Sequence, residues 1–224
     1  MSKHIWIAIP AYTGQIHLST MRALMTDWKT LRERGDRVDL YDEAGNPYIA
    51  DARAQMVACF LRSKADTMIF IDSDVSWEAG ALVKIVDAPE DVVAGIYPFR
   101  ADPIDYPINW LPQENIPFNP ETGLIEVKGV PTGFLKLSRS CLEKMVAAYE
   151  DTAFHCDKAP DKTAWAIFGE YRVNGGRDKL GEDYAFCARW RDIGGKCWVS
   201  PEIKMGHCGY KLFHGSFGEW LRNR

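Results

Sequence analysis

The first hundred residues alternate between short apolar runs and longer segments with helical periodicity. Short apolar runs predict strands, whereas apolar residues that recur every three or four positions predict helices. The predicted strands cover residues 4–10, 38–41, 68–72 and 92–97. The predicted helices cover residues 18–34, 48–61 and 77–86. This alternation predicts an α/β fold with a mostly parallel central sheet and helices on both faces.

The pattern changes after Phe99. Residues 101–120 contain five of the twelve prolines, which predicts an extended loop. Residues 151–180 show no clear period and are predicted to be irregular. Further strands are predicted at residues 124–128, 133–137 and 196–200, the last being the final strand. Further helices are predicted at residues 140–149, with Ser138 as cap, at 182–193 and from 216 onward.

Length and composition are those of an ordinary globular protein. The 224 residues are 46% hydrophobic and carry a net charge of −4, which fits one domain with a substantial core. No run of Lys or Arg indicates a large nucleic-acid interface. The six cysteines are dispersed and no apolar stretch reaches 18 residues, so we expect reduced thiols, no membrane span and a cytoplasmic location.

The predicted strand at 68–72 runs directly into Asp72-Ser73-Asp74. Two carboxylates one residue apart at the end of a strand form a good clamp for a hard cation. Mg²⁺ and Mn²⁺ favour carboxylate oxygens, and Mg²⁺ commonly adds the phosphates of a substrate. The pair therefore indicates a site for a metal and a diphosphate. A solvated turn at a strand end explains the same residues equally well.

Two other segments follow predicted strands in the same way. Residues 10–14 form a turn in which Tyr12 can stack on a nucleoside and Thr13 can bond to it, and Asp42 follows the second strand. In open α/β sheets, ligands bind beyond the carboxyl ends of the strands. Neither a Gly-x-Gly-x-x-Gly loop nor a Gly-x-x-x-x-Gly-Lys loop is present, which disfavours dinucleotide and P-loop folds.

A second acidic pair, Glu182-Asp183, opens a predicted helix. One of the two, Asp183 by preference, is a candidate general base, although acidic residues also favour helix N-termini for purely structural reasons. His207 lies between glycines at 206 and 209 after the last predicted strand. A neutral imidazole there can supply one more metal ligand, and a polar loop histidine is the alternative.

Five segments in this order resemble the GT-A class of nucleotide-sugar glycosyltransferases, in particular small family-2-like members from bacteria and viruses. The matching segments are IAIPAYTG, FIDSDVSW, PTGFLKLSR, GEDYAFCARWRDIGG and MGHCG, which are spread over nearly all of the chain. The resemblance implies a single GT-A domain over residues 1–224, with a donor-binding half up to about residue 100 and an acceptor half after it. A small antiparallel element is expected on the acceptor side.

The resemblance also implies roles for individual residues. Asp72, Asp74 and His207 would hold Mn²⁺ or Mg²⁺. Asp183 would deprotonate an acceptor hydroxyl in an inverting reaction, with Glu182 beside it. Arg53 would reach the base or a phosphate, and Gly133 and Phe134 would line the sugar or acceptor pocket. The expected nucleotide-sugar contacts are Pro10, Ala11, Tyr12, Thr13, Asp42, Arg53, Asp72, Ser73, Gly133 and Phe134.

The implied activity is metal-dependent transfer of a sugar from a UDP-sugar, with UDP-glucose as one expectation, to an acceptor hydroxyl. The acceptor alternatives are a glycan, a lipid-linked glycan or, for a phage protein, a hydroxymethylated DNA base. A nucleotidyltransferase is a second hypothesis, although the first loop lacks the basic residues it usually needs. A nucleotide-sugar binding protein without catalysis is a third, which both acidic pairs disfavour.

Overall fold

A computed structural model describes residues 2–112 and 117–223, so residues 113–116 of the predicted extended loop lie outside the described part. The helices are α1 (Leu18–Glu33), α2 (Ile49–Arg62), α3 (Ala81–Asp87), α4 (Arg139–Ala148), α5 (Glu182–Asp192) and α6 (Phe217–Arg222). Except at the start of α3, the predicted helix boundaries are confirmed to within two residues. The hydroxyl of Ser138 accepts a hydrogen bond from the amide of Cys141, which confirms its role as the cap of α4.

The strands fall into a central sheet and three small antiparallel units. The central strands are β1 (His4–Pro10), β2 (Arg37–Glu43), β3 (Thr67–Ile71), β5 (Val92–Gly95), β6 (Ile125–Val127), β7 (Phe134–Ser138) and β12 (Cys197–Ser200). The others are β4 (Val75–Trp77), β8 (Ala153–His155), β9 (Thr163–Trp165), β10 (Tyr171–Val173), β11 (Asp178–Leu180), β13 (Lys204–Cys208) and β14 (Leu212–Ser216).

The central sheet has seven strands in the order β2-β1-β3-β7-β5-β12-β6. β2, β1 and β3 pair in parallel, as do β5 and β12, whereas β7 and β6 run antiparallel to their neighbours. The predicted mostly parallel sheet is therefore confirmed. The predicted strands at 124–128 and 133–137 both exist, but β6 lies at the sheet edge while β7 lies between β3 and β5.

Helices cover both faces of this sheet, as the near-continuous apolar strands require. In β3, Met68 and Phe70 face the layer that contains α2, α4 and α5, and Ile69 and Ile71 face the layer that contains α1 and α3. All five β3 residues are buried. Within the described residues, no helix is both long enough and apolar enough to cross a bilayer.

The sequence prediction is wrong at residues 77–80. Val75–Trp77 form β4, which pairs with β13 in a three-stranded sheet completed by β14, and α3 starts only at Ala81. Asp27 of α1 explains the delayed start, because its buried carboxylate accepts hydrogen bonds from the amides of Gly80 and Leu82. The strand at 196–200 was predicted to be the last one, but β13 and β14 follow it, and His207 lies within β13.

The segment 151–180 is also more regular than predicted. It forms two antiparallel pairs, β8 with β9 and β10 with β11. The first pair is held against α2 by small apolar side chains, including Ala58 and Ala164. Lys158 is anchored to Glu43 of β2 at 2.5 Å. Strands of three residues show too few alternations for a sequence pattern to reveal them.

Candidate active site

A cavity of about 700 Å³ opens at the carboxyl ends of β1 and β3. This is the edge at which ligands bind in open α/β sheets. Four of the five acidic or histidine residues that line it were predicted from the sequence as metal or catalytic groups. The lining residues are Pro10, Tyr12, Thr13, Gln15, Ile16, His17, Leu18, Ile49, Arg53, Asp72, Ser73, Asp74, Tyr97, Arg100, Glu182 and His207.

Arg53 joins the two acidic pairs. It lies on α2 with only 2% of its surface exposed. One terminal nitrogen contacts Asp72 at 3.1 Å, and the other contacts both Glu182 and Asp183 at 3.1 Å. Burial lowers the pKa of Arg53, but the three carboxylates raise it by more. The net effect is a raised pKa, so the guanidinium is charged. Arg53 also lines the cavity, so its predicted contact with a base or phosphate stays a prediction beside these ion pairs.

The second acidic pair lies at the start of α5. Glu182 lines the cavity, and Asp183 lies directly behind it, accepting hydrogen bonds from Thr132 and Arg53. Partial burial raises the pKa of Asp183, and it outweighs the lowering by Arg53 and Thr132. A carboxylate with a raised pKa is a stronger base than an ordinary aspartate, which is the property that proton abstraction needs.

Asp74, Arg100 and His207 form the opposite wall. Arg100 makes an ion pair with one oxygen of Asp74, and the Nε2 atom of His207 lies 3.7 Å from the other. The Nδ1 atom of His207 lies 3.0 Å from the carbonyl of Pro98, so Nδ1 carries the proton and donates it there. Partial burial lowers the pKa of His207. A neutral imidazole with a free Nε2 facing a carboxylate is a suitable metal donor.

The three-stranded sheet of β4, β13 and β14 brings Asp74 and His207 together. His207 of β13 is paired with Val75 of β4, and the amide of Cys208 donates to the carbonyl of Asp74 at 2.8 Å. Asp74 therefore has its position fixed by a strand located far away in the sequence. No group of three or more His, Cys, Asp or Glu residues in the described ranges is arranged to enclose a metal ion. The carboxylate of Asp72 is paired with Arg53, and only Asp74 and His207 face each other directly.

The predicted nucleoside side is assembled in part. Pro10, Tyr12, Thr13 and Ser73 line the cavity, and Tyr12 is 64% exposed, which leaves its ring free for stacking. Ala11 is buried and its amide is bonded to the carbonyl of Glu43, so its side chain does not face the cavity.

Asp42 is exposed but does not line the cavity. The adjacent Glu43 is the residue of β2 that points inward, since it is 6% exposed and accepts a hydrogen bond from Gln55 at 2.6 Å. Successive strand residues point to opposite faces, so Asp42 is directed away from this contact. The structure therefore does not bring Asp42 to the other predicted residues.

Gly133 and Phe134 have different positions from those predicted. Phe134 is fully buried and packs on Trp77, with ring centroids 4.6 Å apart, so it supports the site from the core. Gly133 lies behind Asp72, where an added Cβ would lie 2.6 Å from Asp72 Oδ2 and 2.6 Å from the hydroxyl of Tyr97. Only glycine allows Asp72 and Tyr97 to approach the backbone so closely.

Sequence reasoning missed Arg100 and Tyr97. Tyr97 lies two residues and Arg100 five residues beyond the end of β5. The rule that selected the other segments, residues just beyond a strand of the parallel sheet, could therefore have led to them. Burial raises the pKa of Tyr97 well above its usual value, and Asp72 and Asp183 add to this effect. Tyr97 therefore stays protonated and contributes no charge.

No family model and no curated protein matches this sequence. Solved structures do show the same fold. A197 from STIV is 18% identical, with a TM-score of 0.60, and the match covers 96% of this chain and 91% of A197. GalNAc-T7, crystallised with UDP, GalNAc and Mn²⁺, is 8% identical, with a TM-score of 0.51. That match covers 92% of this chain but only 43% of GalNAc-T7.

These similarities confirm the predicted fold class. GT-A glycosyltransferases are among the structural neighbours, and the small antiparallel sheets beside the central one agree with the predicted additional element. At 8% and 18% identity, the similarity is one of fold. A shared fold does not fix an activity, which depends on the residues of the site.

Proposed function

We propose that this protein is a metal-dependent glycosyltransferase that moves a sugar from a UDP-sugar to an acceptor hydroxyl. The observation that carries the proposal is the convergence of both acidic pairs and His207 on one cavity at the carboxyl edge of the sheet. A structural turn and a helix cap would each explain one acidic pair. Neither explains why Arg53 joins the two pairs in the wall of a cavity.

The charges of this cavity favour a divalent cation. Four carboxylates, those of Asp72, Asp74, Glu182 and Asp183, are accompanied by two guanidinium groups, from Arg53 and Arg100. The excess of negative charge and the oxygen donors suit Mg²⁺ or Mn²⁺, and the free Nε2 of His207 suits Mn²⁺. Asp74 and His207 would hold the cation directly and Asp72 would help to position it. When bound, the cation would stabilise the charge on the departing diphosphate.

The nucleoside of the donor would lie on the β1 side of the cavity, where Tyr12 offers an exposed ring and Thr13 a hydroxyl. UDP is the preferred nucleotide because GalNAc-T7, which shares the fold, was crystallised with UDP, GalNAc and Mn²⁺. The sugar would then extend from Asp72 towards Glu182, which lines the same cavity. This orientation directs its anomeric carbon towards the second acidic pair.

Asp183 is the proposed base. Its carboxylate would take the proton of the acceptor hydroxyl as the oxygen forms a bond to the anomeric carbon and the bond from that carbon to the diphosphate breaks. One in-line displacement of this kind inverts the anomeric centre. Glu182, which lies closer to the cavity, would orient the acceptor. Burial raises the pKa of Asp183, which makes its carboxylate a stronger base than an ordinary aspartate.

The decisive experiment is thermal unfolding with UDP, GDP, CDP and ADP and with UDP-sugars, each with Mn²⁺, Mg²⁺ or EDTA. A ligand at 100 times its Kd stabilises the folded state by about 2.7 kcal/mol, which raises the melting temperature measurably. We expect a rise with UDP that EDTA abolishes and that the Asp74→Asn variant does not show. Lys84→Gln, an exposed charge change far from the cavity, serves as control. No rise with any nucleotide would refute the proposal.

A further inference from the structure

Arg100 is placed to react to whatever occupies the cavity. It lines the cavity and makes an ion pair with Asp74, the carboxylate nearest to His207. Its aliphatic stem lies on the backbone of Gly209, where an added Cβ would be 3.1 Å from Arg100 Cδ. The backbone beside it is anchored, because the amide of Phe99 donates to the carbonyl of Asp105. The guanidinium is thus the movable part of a well-anchored segment.

The two arginines of the site differ in this respect. The side chain of Arg53 is 3% exposed and contacts three carboxylates, so it cannot turn without leaving all three partly buried carboxylates unpaired. The side chain of Arg100 is 44% exposed and contacts one carboxylate of the site. Asp74 is 23% exposed, but the guanidinium of Arg100 reaches water, so the pair contributes on the order of 1 kcal/mol and Arg100 can leave Asp74 at small cost.

A cation and Arg100 compete for the same oxygens. A divalent ion held by Asp74 and His207 would bring two positive charges next to the guanidinium and would repel it. The diphosphate of a donor carries several oxygens, and the planar guanidinium binds such oxygens well. Because Arg100 lines the same cavity as Asp72 and Asp74, it remains within this space when it leaves Asp74.

We propose that Arg100 is an exchangeable counter-ion, which pairs with Asp74 before the cation arrives and donates to the donor diphosphate once the cation holds Asp74. This inference rests on the proposed function. It makes Arg100 a residue that contacts the leaving group and, at the same time, a competitor that weakens binding of the cation alone. Cation and nucleotide therefore bind cooperatively, each making the other's site available.

The first test measures Mn²⁺ alone, by electron paramagnetic resonance of the free ion. Arg100→Gln keeps the stem over Gly209 and removes the charge. We expect it to bind Mn²⁺ roughly two- to fivefold more tightly than the wild type, since an exposed ion pair no longer competes. Lys211 pairs with Asp102 and does not contact Asp74. Lys211→Gln therefore removes one nearby positive charge as a control, and its affinity for Mn²⁺ should equal that of the wild type. Equal affinity in Arg100→Gln and the wild type would overturn the competition.

The second test measures UDP and uridine by calorimetry in saturating Mn²⁺. We expect Arg100→Gln to bind UDP roughly tenfold more weakly, because a charge-assisted hydrogen bond is lost. Its affinity for uridine, which has no diphosphate, should be unchanged, and Arg100→Lys should recover part of the loss. UDP affinity that is unaffected in Arg100→Gln would overturn the contact with the diphosphate.

The two tests separate this inference from the proposed function. If the wild type binds UDP in a Mn²⁺-dependent way and Arg100→Gln behaves like the wild type in both tests, the counter-ion role fails and the glycosyltransferase proposal stands. If the wild type binds no nucleotide, both fail. A Mn²⁺ affinity that rises in Arg100→Gln together with a UDP affinity that falls would support both.

Discussion

Replacing Arg53 by Met tests whether the site depends on one buried charge. The methionine side chain has a similar length and keeps most of the packing, but it removes the positive charge that contacts Asp72, Glu182 and Asp183. It also removes the guanidinium above the ring of Phe70, at 5.9 Å from its centroid. Three carboxylates would then lie close together without a counter-charge.

The magnitude follows from the exposure of the partners. Removing one partner of a fully buried ion pair costs about 3–5 kcal/mol. The carboxylate side chains here are 27% to 33% exposed, so water compensates part of the loss. We therefore expect Arg53→Met to lower the free energy of unfolding by about 3 kcal/mol at pH 7.5.

The pH dependence distinguishes charge from packing. Burial already raises the pKa of Asp183, and loss of Arg53, which lowers it, would raise it further. A carboxyl group whose folded-state pKa lies above its unfolded value favours folding at low pH, and this contribution is lost as the pH rises through the folded pKa. The loss in Arg53→Met should therefore shrink by roughly 1 kcal/mol between pH 7.5 and pH 5.

Urea unfolding followed by circular dichroism at both pH values measures these quantities. Arg62→Met, on the same helix but with an exposed ion pair to Asp161, is the matched control and should lose less than about 1 kcal/mol at either pH. An Arg53→Met loss of equal size at pH 7.5 and pH 5 would show that packing causes it. A variant as stable as the wild type would refute the electrostatic argument altogether.

Three further variants probe the neighbouring parts of the site. Asp183→Asn should keep Mn²⁺-dependent UDP binding in calorimetry and lose sugar transfer. In the wild type, the transfer rate should fall as the pH is lowered, and this fall should begin at a higher pH than the pKa of an ordinary aspartate would give. Asp27→Ala should lose about 3 kcal/mol in urea unfolding, because it leaves the Trp77 indole and two amides without their acceptor; a loss below about 1 kcal/mol contradicts this. Gly133→Ala should weaken UDP binding roughly tenfold, since its Cβ would displace Asp72; wild-type affinity would show that Asp72 can move freely.

Much of the fold could be predicted from the sequence because its long elements have strong periods. β1 and β3 are apolar after their first residues and α1 and α2 show clear helical faces, so the parallel layout followed from their alternation. The carboxyl-edge rule then placed Asp72, Asp74 and Tyr12 together, and the structure places all three at one cavity.

The parts that could not be predicted depend on contacts between distant residues. β4 has three residues, and only its pairing with β13 makes it a strand. Asp42 and Glu43 are adjacent acidic residues at a strand end, and only the facing of β2 decides that Glu43 points inward. The ion pairs of Arg53 with Glu182 and Asp183 could not be predicted either, because they depend on how α2 and α5 are arranged in space.

The pairing of β4 with β13 has a consequence for synthesis of the protein. On the order of 130 residues separate Val75 from His207, and a ribosome adds roughly 5–20 residues per second, so β4 emerges about 7–26 s before its partner. During that interval, Val75 and Trp77, both buried in the finished fold, lie on a strand without its neighbour. Slowing translation between the two strands lengthens this interval and should therefore lower the yield of native protein.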